Sequence, residues 1–204
     1  MAFFDKPFCE RVADTIREAE QQTDAEIVTV LAHRADSYYY IPALWAAVIA
    51  LLSAPLLRLL PFWIEDWEQI LLQWLIFIVL SLVFRWQPIL MHLIPRSVKY
   101  WRAESLARRQ FLEQELHHTE GRLGLLIFVS EAEHYVEIMA DQGLAEHIKN
   151  ERWQKIVEDL ILAIHENRTD SGFIRCIEQC GELLREAAPL THEKNELPNH
   201  LVIL

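Results

Sequence analysis

Basic residues are scarce in this chain: 19 Lys and Arg stand against 30 Asp and Glu, a formal charge of −11 over 204 residues. A nucleic-acid partner requires a basic surface to meet the phosphates, so that class is set aside. Cysteine is also thin. Three residues are too few for a disulfide framework, and nothing requires an oxidising compartment. Cys176 and Cys180 lie four apart in GFIRCIEQCGELL, where a helix puts them on a face with Phe173, Ile177 and Leu184. That reads as small buried side chains ahead of a redox or metal pair. There is no internal repeat, low-complexity tract or Gly/Ser linker. The start, MAFFDKPFCERVADTIREAE, shows no basic segment followed by an apolar run, so it is not expected to act as a signal peptide. No P-loop, Cys-x5-Arg or DxD motif occurs, and the usual catalytic constellations are missing with them.

What is present is hydrophobicity, 52% of residues against 24% charged, concentrated in two runs. From Ile41 to Leu57 the only polar side chain is Ser53, and from Ile70 to Phe84 there are only Gln73 and Ser81. At about 1.5 Å per residue these runs extend roughly 23 to 26 Å. That is slightly short of a bilayer core near ~30 Å. Aromatic residues at the borders (Tyr38, Tyr39, Tyr40, Trp63, Trp67 and Trp86) suit the interfacial belt and close the gap. Helices apolar on every face are rare in soluble domains, so a transmembrane hairpin is expected over residues 39–95. Pro61 is expected to end its first helix, Arg58 to pair with Glu65, Asp66 or Glu68, and Arg85 to reach the near interface. Basic residues follow the second span (Arg85, Arg96, Lys99, Arg102, Arg108, Arg109). Positive-inside bias therefore expects both termini and the soluble domain in the cytoplasm of a bacterial inner membrane.

The soluble halves flank that hairpin, residues 1–38 before it and 96–189 after, with a tail at 190–204. Phe8, Val12, Ile16 and Ala19 form one helical stripe, and Ala25 to Leu31 reads as a buried strand. Residues 97–118 read as a mostly polar helix anchored by Trp101, Leu112 and Leu116. In GRLGLLIFVSEAEHYVEIMADQG, two strands, 123–129 and 135–140, flank a polar turn, a β-hairpin. Trp153, Ile156, Val157, Leu160, Ile161 and Ile164 then mark an amphipathic helix, and Asp170 is placed as the N-cap of a last one at 171–187. The strand near residue 28 has no mate in its own half, and unpaired backbone groups are costly. The fold class expected is therefore α/β: a small mixed sheet covered by helices, interrupted by a two-helix insertion, with strand 25–31 parallel to strand 123–129. The apolar end of NELPNHLVIL is expected to fold back onto its own domain rather than pair with a partner's edge.

The segments AEIVTVLA, EGRLGLLIFVSEAEHYVEIMADQGLAEHI, the tryptophan helix and the NELPNHLVIL tail together resemble the TPM domain family of thylakoid-lumen proteins. The likeness is to bacterial membrane members with an inserted helical hairpin. The resemblance implies an α/β sandwich around a mixed sheet. Its functions vary: some plant members are acid phosphatases and assist photosystem repair, some domains bind calcium through acidic residues at one end of the sheet, and many bacterial members are membrane proteins. That acidic end maps here to Glu120 and Asp141, which antiparallel pairing brings to one edge, with backbone carbonyls near Gly121 and Gly143. Set beside this Ca²⁺ reading is a structural one, in which Glu120 sits in a turn and Asp141 caps the next segment. Arg122 is the candidate donor to a phosphoryl group. His117 and His118 are expected to diverge on a helix, and His147 and Glu151 to face each other only if their segment is helical. No catalytic residue is assigned. The expected role is a membrane-anchored, non-catalytic interaction or assembly module. Its partners would be the bilayer and either a protein partner or further copies through the spans. A metal-dependent phosphatase and a transport or channel subunit are the alternatives.

Overall fold

Residues 6–58, 65–166, 168–191, 197 and 201–204 are described in the computed structural model. They form two compact units, one of residues 1–35 with 102–204 and one of residues 36–101.

The first unit is built on a four-stranded sheet. Its strands are β1 (Glu26–Ala32), β2 (Gly124–Ser130), β3 (Tyr135–Ala140) and β4 (Leu201–Ile203), in the order β3-β2-β1-β4. β1 and β2 run parallel, Ile27 opposite Leu125 and Thr29 opposite Ile127, and β2 and β3 form the antiparallel hairpin. The expected tail fold-back is present: β4 lies parallel to β1, with Thr29 opposite Leu201. All seven residues of β1 and of β2 are buried, which explains why they read as continuous apolar runs: both faces are covered.

Period-two alternation divides the core. Ile27, Leu31, Leu125, Ile127 and Val129 pack with α1 (Lys6–Glu20), α7 (Asn150–His165) and α8 (Thr169–Ala187). Val28, Val30, Ala32, Leu126 and Phe128 pack on the opposite face with α5 (Arg96–Glu113). The helix expected at 97–118 ends at Glu113, because Glu115 takes a left-handed φ of 57°, and one turn of 3₁₀ helix follows at Leu116–His118. Its anchors also differ from expectation. Leu116 is buried, but Trp101 and Leu112 are each 58% exposed, and the helix meets the sheet through Ala103 and Ala107. Two alanines one turn apart let helix and sheet approach closely, whereas a bulky stripe would hold them apart. Asp170 lies in the first turn of α8 rather than at its N-cap, which is Arg168.

The second unit contains α2 (Tyr40–Arg58), α3 (Asp66–Val83) and α4 (Gln87–Leu93). α2 and α3 pack on one another, with Ala46 and Ala50 buried. The Gln73 amide donates to the Ala50 carbonyl at 3.1 Å and the Gln69 amide to that of Ala54 at 3.4 Å, so these two side chains of α3 face its partner helix. Large apolar side chains of both helices are exposed: on α2 Leu51 is 72% exposed and Leu56 is exposed too, and on α3 Leu82 is 65% exposed, with Leu71, Trp74 and Ile78 also exposed. Tyr40–Leu57 is one window long and apolar enough to cross a membrane, and the apolar part of α3, Trp67–Val83, is slightly shorter. Tyr38, Ile41, Leu90 and Ile94 form a small cluster beside α4. Pro61 and Trp63, and the side chains of Arg58 and Asp66, lie outside the described residues.

Candidate functional site

The antiparallel ladder brings the two expected carboxylates to one end of the sheet. Leu125 pairs with Ala140, and the Asp141 N–H extends the ladder to the Gly124 carbonyl at 2.9 Å. Glu120 sits in a 3₁₀ turn, Glu120–Arg122, where Gly121 has a φ of 69° and Arg122 one of 56°. Asp141 is the N-cap of α6 (Gln142–Ala145), its Oδ1 accepting the Gln142 N–H at 2.7 Å. Its other oxygen, Oδ2, is buried with no hydrogen-bond partner.

Gly143 shows how tightly this corner is closed. A β-carbon there would lie 2.2 Å from the Gly121 carbonyl oxygen and 2.7 Å from that of Arg122. Both carbonyls are therefore turned onto the Gly143 backbone. The Arg122 guanidinium donates to the Gln142 amide oxygen at 2.8 Å. Ca²⁺ needs about six to eight oxygens. Among the described residues no group of three or more His, Cys, Asp or Glu side chains converges. Two carboxylates with the nearby carbonyls covered fall short of such a shell.

The histidines are placed differently from the helical expectation. His117 and His118 sit in a 3₁₀ turn with ring centroids 3.9 Å apart, in contact rather than divergent. His147 lies between α6 and α7 with its Nδ1 2.8 Å from the Gly143 carbonyl, and Glu151 is in the first turn of α7, so the two do not share a helix. Cys176 and Cys180 are buried in the core, and burial followed by a hydrogen bond with Cys176 pushes the Cys180 thiol well up, away from the reactive thiolate.

Three polar arrangements have no local signature in the sequence. At the start of β1, Glu20 accepts the Ile27 N–H at 2.8 Å; burial pushes its carboxyl up to about 8, the bond to Ile27 pulls down, and nearby Glu26 adds to the rise. At the other end of β1, Glu133 is buried in the β2–β3 turn, accepting from the Ser130 hydroxyl and, at 3.1 Å, from the Ala35 N–H. On β3, the Tyr135 hydroxyl donates to Glu137 at 2.8 Å. Burial raises the Glu137 carboxyl, with the Tyr135 bond opposing and Glu104 of α5 adding. Glu133 and Ala35 are 98 positions apart, and the Glu20–Ile27 and Tyr135–Glu137 bonds, though close in sequence, depend on how α1, β1 and β3 are placed. In the second unit, the Arg85 guanidinium stands 6.0 Å from the Tyr39 ring centroid, a cation–π distance.

A family model described as the TPM domain matches residues 87–183. The NMR structure of BA42 protein from the psychrophilic bacterium Bizionia argentinensis aligns with a TM-score of 0.62 at 16% identity, covering 99% of this chain and 96% of that one. No curated protein matches. At that identity the likeness bears on fold alone, and the shared architecture is the mixed sheet between helical layers described above. The family match covers the segment that carries α5, β2, β3 and most of α8, and that segment is similar to the TPM domain.

Proposed function

We propose that this is a membrane-anchored TPM-domain protein that acts by binding rather than catalysis, with α2 and α3 as its transmembrane hairpin. One observation carries the anchoring: α3 turns Gln69 and Gln73 onto backbone carbonyls of α2, while both helices leave large apolar side chains, Leu51, Leu71, Trp74 and Leu82 among them, exposed. In water such surface is a liability, and in lipid it is the ordinary exterior of a helix pair. The basic residues after α3 favour both termini and the TPM domain in the cytoplasm, in a bacterial inner membrane. Partners other than lipid are a docking protein or further copies of the chain.

The corner at Glu120 and Asp141 supports the binding role. It has neither a nucleophile with an adjacent base nor a full metal shell. A metal-dependent phosphatase is the second reading, and the buried, unpartnered Oδ2 of Asp141 is the observation that favours it.

Two experiments test these readings. Alkaline carbonate washing should leave the protein in the membrane fraction and detergent should release it, while reporters fused in the α2–α3 link and at the C-terminus should report opposite sides. Release by carbonate, or both reporters on one side, defeats the hairpin. Phosphatase assay of the purified protein with Ca²⁺, with Mg²⁺ and with chelator should show no turnover. Metal-dependent turnover that Asp141→Ala abolishes would replace binding with catalysis.

A further inference from the structure

At the carboxyl ends of the parallel strands β1 and β2 lies a crevice of about 180 Å³. Its walls are Leu31, Val129, Val136, Ile161 and Ile164, and its mouth carries Glu131, His134, His165 and Thr169. We propose that it binds a small uncharged molecule, an aromatic ring bearing one hydroxyl, that is, a phenol.

Position, size and chemistry converge on that class. Ligand crevices in α/β sheets open at the carboxyl ends of strands, where the chain leaves the sheet. A dry apolar cavity of about 150 Å³ admits benzene, so this one holds a ring with one or two substituents. The five aliphatic walls favour an apolar body. The described lining holds no Lys or Arg, so nothing there neutralises a carboxylate or phosphate. The one acidic group, Glu131, is engaged by His33 at 3.1 Å and repels anions besides. A cation would have to shed water against aliphatic walls. An uncharged hydroxyl fits: it donates and accepts one bond each, and a neutral imidazole offers the complementary acceptor and donor. Neither His134 nor His165 makes a side-chain hydrogen bond among the described residues, so both imidazoles are open to it. The lip is also held in place. His134 takes a left-handed φ of 50° within a turn that the buried Glu133 ties to Ser130 and Ala35, which fixes a backbone shape that a non-glycine residue seldom adopts. This site is independent of membrane anchoring and of the corner at Asp141.

The test is methyl NMR of the full chain in detergent, titrated with p-cresol, toluene and benzoate at matched free concentrations. Saturable shifts with p-cresol, confined to Val129, Val136, Ile161 and Ile164 and at least tenfold weaker with benzoate, support the site. His134→Ala and His165→Ala, both at the exposed mouth, should each weaken p-cresol several-fold and leave toluene unchanged. Ile164→Trp should fill the crevice and abolish all shifts. Non-saturating or dispersed shifts, equal affinity for benzoate, or p-cresol binding unchanged in both histidine variants overturns the proposal.

Discussion

The carboxyl of Glu20, the last residue of α1, accepts the N–H of Ile27 in β1 at 2.8 Å. β4 pairs with β1 only from Thr29 onward, so Glu20 satisfies a backbone donor that the sheet leaves open. Burial pushes this carboxyl from 4.5 up to about 8, so at neutral pH the folded protein holds it protonated while the unfolded chain has lost that proton. A raised carboxyl contributes stability that is complete below the unfolded value and is lost as pH rises through the folded one. Urea unfolding of the full chain in detergent should therefore show stability falling between pH 5 and pH 8, by on the order of a few kcal/mol. Glu20→Gln keeps the acceptor without the proton and should flatten that fall. A slope equal to wild type in the variant would count against it.

Gly143 faces the Gly121 and Arg122 carbonyls too closely for any side chain. Gly143→Ala forces α6 away from the 3₁₀ turn and should cost about 1–3 kcal/mol or more, as overpacking does. Amide shifts in the Glu120–Arg122 turn should move with it. A neutral substitution would mean that the corner is loose.

Contact between α5 and the sheet runs through Ala103 and Ala107. Ala107→Leu should lower the urea midpoint, costing about 1–3 kcal/mol. Leu112→Ala, at an exposed position, should stay within about 0.5 kcal/mol. The reverse order of effects would return the helix to the anchoring read from its large residues.

Thr29 is fully buried, and its hydroxyl has no hydrogen-bond partner. Thr29→Val keeps the shape and removes a desolvated polar group, so the midpoint should rise or hold, with a gain of up to about 1 kcal/mol. A clear loss would place an ordered water on that hydroxyl.

Much of the architecture was legible because it is local. EIVTVLA and GLLIFVS are unbroken apolar runs, and strands buried on both faces need nothing else. The stripe from Trp153 to Ile164 declared α7 by period alone. α5 was misread in detail for a reason that applies widely. Amphipathic reading weights bulky residues, but close packing on a sheet selected Ala103 and Ala107 and left Trp101 and Leu112 outside. Asp170 was misplaced by the same kind of reasoning, since cap preference cannot see that the helix begins at Thr169. At the acidic corner the sequence could name Glu120 and Asp141 but not that the Gly121 and Arg122 carbonyls close over Gly143.

The sequence by itself determined what each segment is, because hydrophobic period, run length and turn residues act over a few neighbours. That was enough for the two long apolar helices, the β-hairpin and the pairing demand of a lone strand. Tertiary structure alone decided which groups meet across long separations. It placed Leu201 beside Thr29, brought Glu133 to Ala35, and left an aliphatic crevice between β2, β3 and α7. Burial, close approach and cavity shape depend on where distant elements come to rest, and no local window carries that information.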